Sequence, residues 1–186
     1  QYDINLFQMK AYIQAYRTIS RLDSFESGRN AGTTQDSKDQ VIHPDYKEII
    51  PPQLIRRMST VIRMGVGAAI KVKEDHPIEG IIVGIGLGCL ENTEKFLDQF
   101  VARREGILSP TSFIQSTHNT VAGQIGIILQ DNCYNSTYTQ RGHSFENALI
   151  DGVLLAMETK GNVLVGGLDE YIPLMKELGG GLGMNL

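Results

Sequence analysis

A layered α/β domain with a mostly parallel sheet is what this 186-residue sequence predicts, from three observations. Two short apolar runs bounded by glycine, EGIIVGIGLG (79–88) and GNVLVGGLDE (161–170), have the make-up of strands buried on both faces, the usual condition of parallel sheets. Amphipathic helical spacing fills the intervals around them. Strand and helix alternate along the chain rather than grouping, which calls for crossover connections.

The elements follow in order. Residues 10–20, KAYIQAYRTIS, are rich in aromatic and β-branched types with partial alternation and read as a strand. The polar, aperiodic stretch that follows predicts a flexible loop over 24–42, and HPDYKEIIPP, with three prolines, an extended arm. Over 53–72, Leu54, Met58, Val61, Ile62, Gly65, Ala68 and Ala69 keep helical spacing and predict one amphipathic helix carrying Arg56, Arg57 and Arg63. After the first apolar strand, ENTEKFLDQFVARRE is a second helix, acidic in its first turn and basic in its last, as the macrodipole favours. GILSPTSFIQST (106–117) reads as a loop. HNTVAGQIGIIL reads as a helix whose Gly123 and Gly126, three apart, permit close packing. NSTYTQ (135–140) is a strand, and 144–159 is a helix.

That last helix is unusual. Phe145, Ala148, Leu149, Ile150, Val153, Leu154, Leu155, Ala156 and Met157 cover most of its circumference at about 100° per residue, leaving Asn147, Asp151 and Glu158 on a narrow polar strip. Such a helix is expected to be buried on nearly every side.

Composition bounds the function. The formal charge of -4 and charged share of 20% lack the basic excess of a nucleic-acid binder. No apolar run reaches the roughly 18 residues of a membrane helix, and the first residues do not read as a secretory signal, so a cytoplasmic chain is expected. Cys89 and Cys133 are far apart and without CxxC spacing; they read as buried or incidental thiols, with no metal site and no cofactor expected. GIGLG falls short of a full dinucleotide fingerprint, and the acidic helix start after it repels phosphate. GGGLG near the end reads as a tight turn.

The strand-to-helix joint, TYTQRGHSFENAL, is where many enzymes place a nucleophile, and here it offers Gly142, His143 and Ser144. His143 beside Ser144 could be a base and a nucleophile, but adjacent residues rarely aim at each other, and Ser144 is read as the helix N-cap. His118 and Asn119 open another helix; they are read as a hydrogen-bonded pair fixing it near the joint rather than as catalysts. Arg56, Arg57 and Arg63 could meet an acidic partner, and a solvated helix face is the preferred reading.

LSPTSFIQSTHNTVAGQIGIIL, NSTYTQRGHSFENALIDGVLLA and NVLVGGLDE, in this order, resemble the N-terminal half of a β-ketoacyl synthase, in particular its short chain-length-factor-like branch. IIPPQLIRRMSTVIRMGVGAA and IIVGIGLGCLENTEKFL fit the same family, so the resemblance covers roughly 46–186 and the whole chain is read as one such domain. It implies a thiolase-like half whose central helix, 144–159, is buried against the equivalent helix of a second half. Active members carry at the joint a cysteine that takes the acyl chain from an acyl carrier protein; Gly142 occupies that position. Cys133 does not substitute, because six extended residues at about 3.3 Å each separate the two ends of the intervening strand. The two histidines that active synthases use belong to the second half, which these 186 residues do not supply.

The resemblance therefore implies a noncatalytic partner of a full-length synthase in a type II fatty acid, polyketide or aryl polyene pigment pathway. Two alternatives remain at this stage. One is a 3-oxoacyl-acyl-carrier-protein synthase fragment with residual acyl transfer or decarboxylation. The other is a homodimer pairing NSTYTQ with its twin across a two-fold axis.

Overall fold

The computed structural model describes residues 10–20, 41–74, 76–103, 109–175 and 177. Most of the loop expected at 24–42 and the GGGLG turn lie outside them. Residues 10–20 do not join the sheet formed by the described residues, and most of the segment is exposed. Aromatic and β-branched content gives a strand only where a sheet offers a partner, and the described sheet does not extend to this segment.

The expected extended arm instead folds locally. Residues Tyr46–Glu48 make a 3-10 turn capped by Asp45, and Ile50 is buried. The single helix predicted over 53–72 is two. α1 (Pro52–Ile55) starts on a proline, and α2 (Thr60–Lys73) begins afresh after Ser59, whose backbone is extended. β1 (Gly80–Ile85) and α3 (Leu90–Arg103) follow as expected.

The predicted loop at 106–117 contains α4 (Pro110–Ser116), with proline at its first turn. Phe113 of this helix packs on Phe96 of α3, ring centroids 5.6 Å apart. That contact supplies the apolar anchor that a Ser- and Thr-rich segment does not advertise. α5 (Thr120–Leu129), β2 (Tyr134–Tyr138), α6 (Ser144–Thr159) and β3 (Val163–Leu168) complete the fold.

The three strands among the described residues are parallel in the order β2, β1, β3, with Gly80 opposite Tyr134 on one side and Val163 on the other. Every residue of the central β1 is buried. Its alternate residues divide the core: Ile81, Val83 and Ile85 join Val61, Ile62, Val66, Val121 and Ile125 of α2 and α5, while Gly80 and Gly84 face α6. The result is a helix pair, a sheet and a third helix in layers, the layered α/β arrangement expected.

α6 rests on the sheet through small residues. Ser144, Ala148 and Gly152, four apart, are its buried positions, and a Cβ on Gly152 would meet Val165 Cγ2 at 2.4 Å. Burial on nearly every side is not what the single chain shows. Leu149, Ile150, Leu154 and Met157 remain exposed, Ile150 at 59%. In α5, Gly126 lies against Asn135 and Ile81, but nothing stands near Gly123, so only one of the two glycines serves close packing.

Candidate functional site

The three strands run parallel, so their C-terminal ends open on one side of the sheet, where open α/β folds bind ligands. The corner between β2 and α6 lies on this side. It is built as a 3-10 turn, Arg141–His143, leading into α6. Arg141 turns the chain with φ 54°, the left-handed region that a non-glycine residue seldom enters.

Two ties hold that strained residue. Arg141 N donates to Gly86 O at 3.2 Å, binding the corner to the loop after β1, and Gly86 N in turn donates to Asp169 Oδ1 at 2.9 Å, just past β3. The ends of all three strands are thus joined in one backbone-centred network. Asp169 and Arg141 were not singled out from sequence, because nothing local reveals a bond spanning 83 residues.

Ser144 does not cap α6. It is the first helical residue, and the N-cap position falls to His143, which makes no side-chain cap bond. The Ser144 hydroxyl accepts from Gln140 N at 2.7 Å and donates to Arg141 O at 2.8 Å, so it closes the preceding turn. Asn147 Nδ2 donates to His143 O at 2.8 Å and also to Gln140 Oε1. With both lone-pair and proton engaged by backbone, the buried Ser144 hydroxyl is not paired with a base, and the His143 side chain is exposed. The adjacent His and Ser are a scaffold and a surface residue.

Gly142, between them, is exposed. A Cβ placed on it meets no atom within 4 Å, so its surroundings would admit a side chain that the sequence does not supply.

His118 reaches the same rim by another route. Gly88, at φ 79°, lies under its ring: a Cβ there would stand 2.7 Å from His118 Cδ2. The expected hydrogen-bonded pair with Asn119 does not form; among the described residues neither side chain makes a hydrogen bond, and Asn119 occupies the N-cap of α5 without a cap bond. The start of α5 is secured instead by hydroxyls. Thr117 Oγ1 donates to Ile114 O at 2.8 Å and pairs with Thr120 Oγ1 at 2.9 Å.

Both thiols are held protonated. Burial pushes Cys89 from 9.0 to about 12, with the Glu170 charge acting the same way. Cys133 is pushed from 9.0 to about 11 by burial first, then by its hydrogen bond to and the charge of Asp131. Cys133 also sits immediately before β2, at the opposite end of the strand from the corner. Among the described residues no three His, Cys, Asp or Glu side chains are gathered as a metal would need, and no helix is long and apolar enough to cross a membrane.

Residues 29–175 match the family described as beta-ketoacyl synthase, N-terminal domain. Among solved structures, the chain is similar to a ketosynthase (ApeO) in complex with its chain length factor (ApeC) from Xenorhabdus doucetiae. The identity is 26% and the TM-score 0.59, over 69% of this chain and 53% of that one. It shares its fold with the ishigamide ketosynthase/chain length factor at 21% identity and a TM-score of 0.62, over 74% of this chain and 41% of that one. This chain therefore spans about half the length of the structures it matches. No curated protein matches its sequence.

Proposed function

Since this chain belongs to the β-ketoacyl synthase N-terminal domain family, we propose that it is a noncatalytic, chain-length-factor-like subunit that pairs with a complete ketosynthase. The pathway would be of the type II fatty acid, polyketide or aryl polyene kind, its growing chains carried on an acyl carrier protein.

One observation carries the reading. Where active relatives are expected to hold the acylated cysteine, the corner presents Gly142, whose only substituent is hydrogen. The chemistry needs a thiolate at a helix start, both to attack the thioester and to be regenerated. Neither thiol of the chain fills the role, because Cys89 and Cys133 are held neutral by burial. A residual acyl transfer by this chain has no nucleophile to start from.

The exposed apolar side of α6 gives the pairing a physical basis, since a helix of this composition gains by covering Leu149, Ile150 and Leu154 with another surface. The outer edge of β2, unpaired among the described strands, adds a row of backbone donors and acceptors beside it. Co-purification with a ketosynthase encoded beside it, with mass read by light scattering, tests the pairing. A one-to-one complex is expected; a homodimer that ignores every such synthase would replace the partner by a second copy. Intact-mass spectrometry after exposure to an acyl-carrier thioester tests the chemistry, and an acyl adduct on this chain would reverse it.

A further inference from the structure

The link between α1 and α2, the first turns of α3, and α4 surround a cleft of about 420 Å³ that shares no residue with the corner. Its charge is one-sided. Arg56, Arg57 and Arg63 line it from the link and α2, and Lys95 from α3, against one carboxylate, Glu91, which is ion-paired to Lys95. Arg63 is fixed in place, because its Nε donates to Met58 O at 2.9 Å, and α4 is tied to the link by Gln115 Nε2 donating to Arg57 O.

Two lining donors lack partners. Asn92 is 7% exposed, and its Nδ2 is buried without a hydrogen bond; the buried Oγ of Ser59 is in the same condition. Native folds rarely leave such groups unanswered. Ser59 is moreover the N-cap of the 14-residue α2, with extended backbone, and yet makes no cap bond. The first helical N–H groups, which have no partner inside the helix, and the positive end of its dipole are therefore left uncapped at the wall of the same cleft. The arrangement has donors from three elements, with cations around them that outnumber the single lining carboxylate.

We propose that this cleft binds a phosphoryl group, either inorganic phosphate or the phosphate of a small monoester, with Ser59, Asn92 and Arg63 supplying the specific hydrogen bonds. A tetrahedral oxyanion sends oxygens toward three elements at once. A planar carboxylate would satisfy one guanidinium and leave the others. An acidic protein surface could pair with the exposed Arg56 and Arg57 without engaging Asn92 Nδ2, so a response at the Asn92 amide separates the two occupants.

Nuclear magnetic resonance of the full chain, titrated at constant ionic strength with inorganic phosphate, glycerol phosphate and acetate, tests the site. Because phosphate also stabilises proteins by exclusion at high concentration, the readout is saturable shifts of the Asn92 side-chain amide and of the Thr60, Val61 and Ile62 amides. Tighter saturation by glycerol phosphate identifies the ester as the occupant, and tighter saturation by phosphate identifies the free ion. Asn92→Leu and Arg63→Gln should each weaken binding by about tenfold or more, as loss of a charge-assisted bond does. Asn92→Leu should keep its melting temperature in phosphate-free buffer, since it removes an unpaired donor. Acetate saturating as tightly as phosphate, an Asn92 amide that never shifts, or Asn92→Leu binding like the parent would each overturn the proposal.

Discussion

Ser144 O lies directly over Gly84: a Cβ on that glycine would stand 2.4 Å from the carbonyl oxygen and 2.7 Å from Phe145 Cα. Both obstructing atoms are backbone, so no side chain can swing aside. The central strand and the first turn of α6 touch with nothing between them, and the height of the corner above the sheet is set by a missing methyl group. Gly84→Ala is expected to lift the start of α6 and destabilise the chain by about 1–3 kcal/mol. Gly123→Ala is the control, because nothing stands within 4 Å of its Cβ and alanine suits a helix interior better by about 1 kcal/mol. Urea titration should move the two midpoints in opposite directions.

Gly142 gives the reverse expectation, although it is only two residues from Ser144. Its Cβ direction is open, and its backbone is not in the left-handed region, which the neighbouring Arg141 occupies instead. Gly142→Cys should fold with stability changed by no more than about 0.5 kcal/mol, as for other exposed positions. Placed just before the uncapped start of α6, the new thiol should ionise more easily than an ordinary cysteine. Iodoacetamide near neutral pH should label it well before Cys89 or Cys133, with mass mapping to show the order. Labelling of Cys133 first would mean that the corner does not favour a thiolate.

Alkaline pH probes the buried acids. Cys89 and Cys133 are raised to about 12 and about 11, and Tyr46 is raised from 10.0 to about 12 by burial, against the lowering effect of Arg63. Each folded value lies above the ordinary one, so as pH rises the unfolded chain releases these protons before the folded chain does. Their contribution to stability is intact below pH 9 and falls steadily between about 9 and 12. Denaturant midpoints measured across that range should decline, and Cys89→Ala should make the decline shallower than in the parent.

β1 was legible because a strand buried on both faces must be apolar throughout, and that pattern needs no partner to be recognised. β3 carries the same apolar run, but it lies at the edge of the described sheet and is only partly buried, with Gly167 exposed, so its expected burial on both faces is not what the structure shows. The break before α2 was not legible, since the apolar spacing runs through it unbroken and only residues 56–59, the last of them extended, divide α1 from α2. α4 was hidden by its Pro, Ser and Thr content and revealed only by Phe113 meeting Phe96. α6 is the most instructive element. Its apolar circumference was plain, but the side that meets the sheet is Ser144, Ala148 and Gly152, among the smallest residues it has, chosen for close approach rather than hydrophobicity. The corner was located correctly by strand and helix periodicity. Its internal bonding, Arg141 to Gly86 to Asp169, joins residues far apart in the chain and could not be read from local pattern.

The large residues that α6 turns away from the sheet supply the sharpest test of the subunit role. Ile150 and Leu154 are 59% and 53% exposed, so replacing each by glutamate removes little from the core of the single chain. Glutamate is also a good helix former, and the expected stability change is within about 0.5 kcal/mol. If a ketosynthase packs on this side of the helix, the double variant Ile150→Glu, Leu154→Glu must bury two carboxylates in an apolar interface, a loss of at least about 2 kcal/mol for residues at the centre of such a surface. Light scattering of the variant mixed with the ketosynthase should then show separate components while circular dichroism shows an unchanged fold. A complex that survives the double substitution would move the docking surface elsewhere, toward the edge of β2 that is unpaired among the described strands. There, charge introduced at Tyr134, 47% exposed on that strand, would be the next place to look for dissociation.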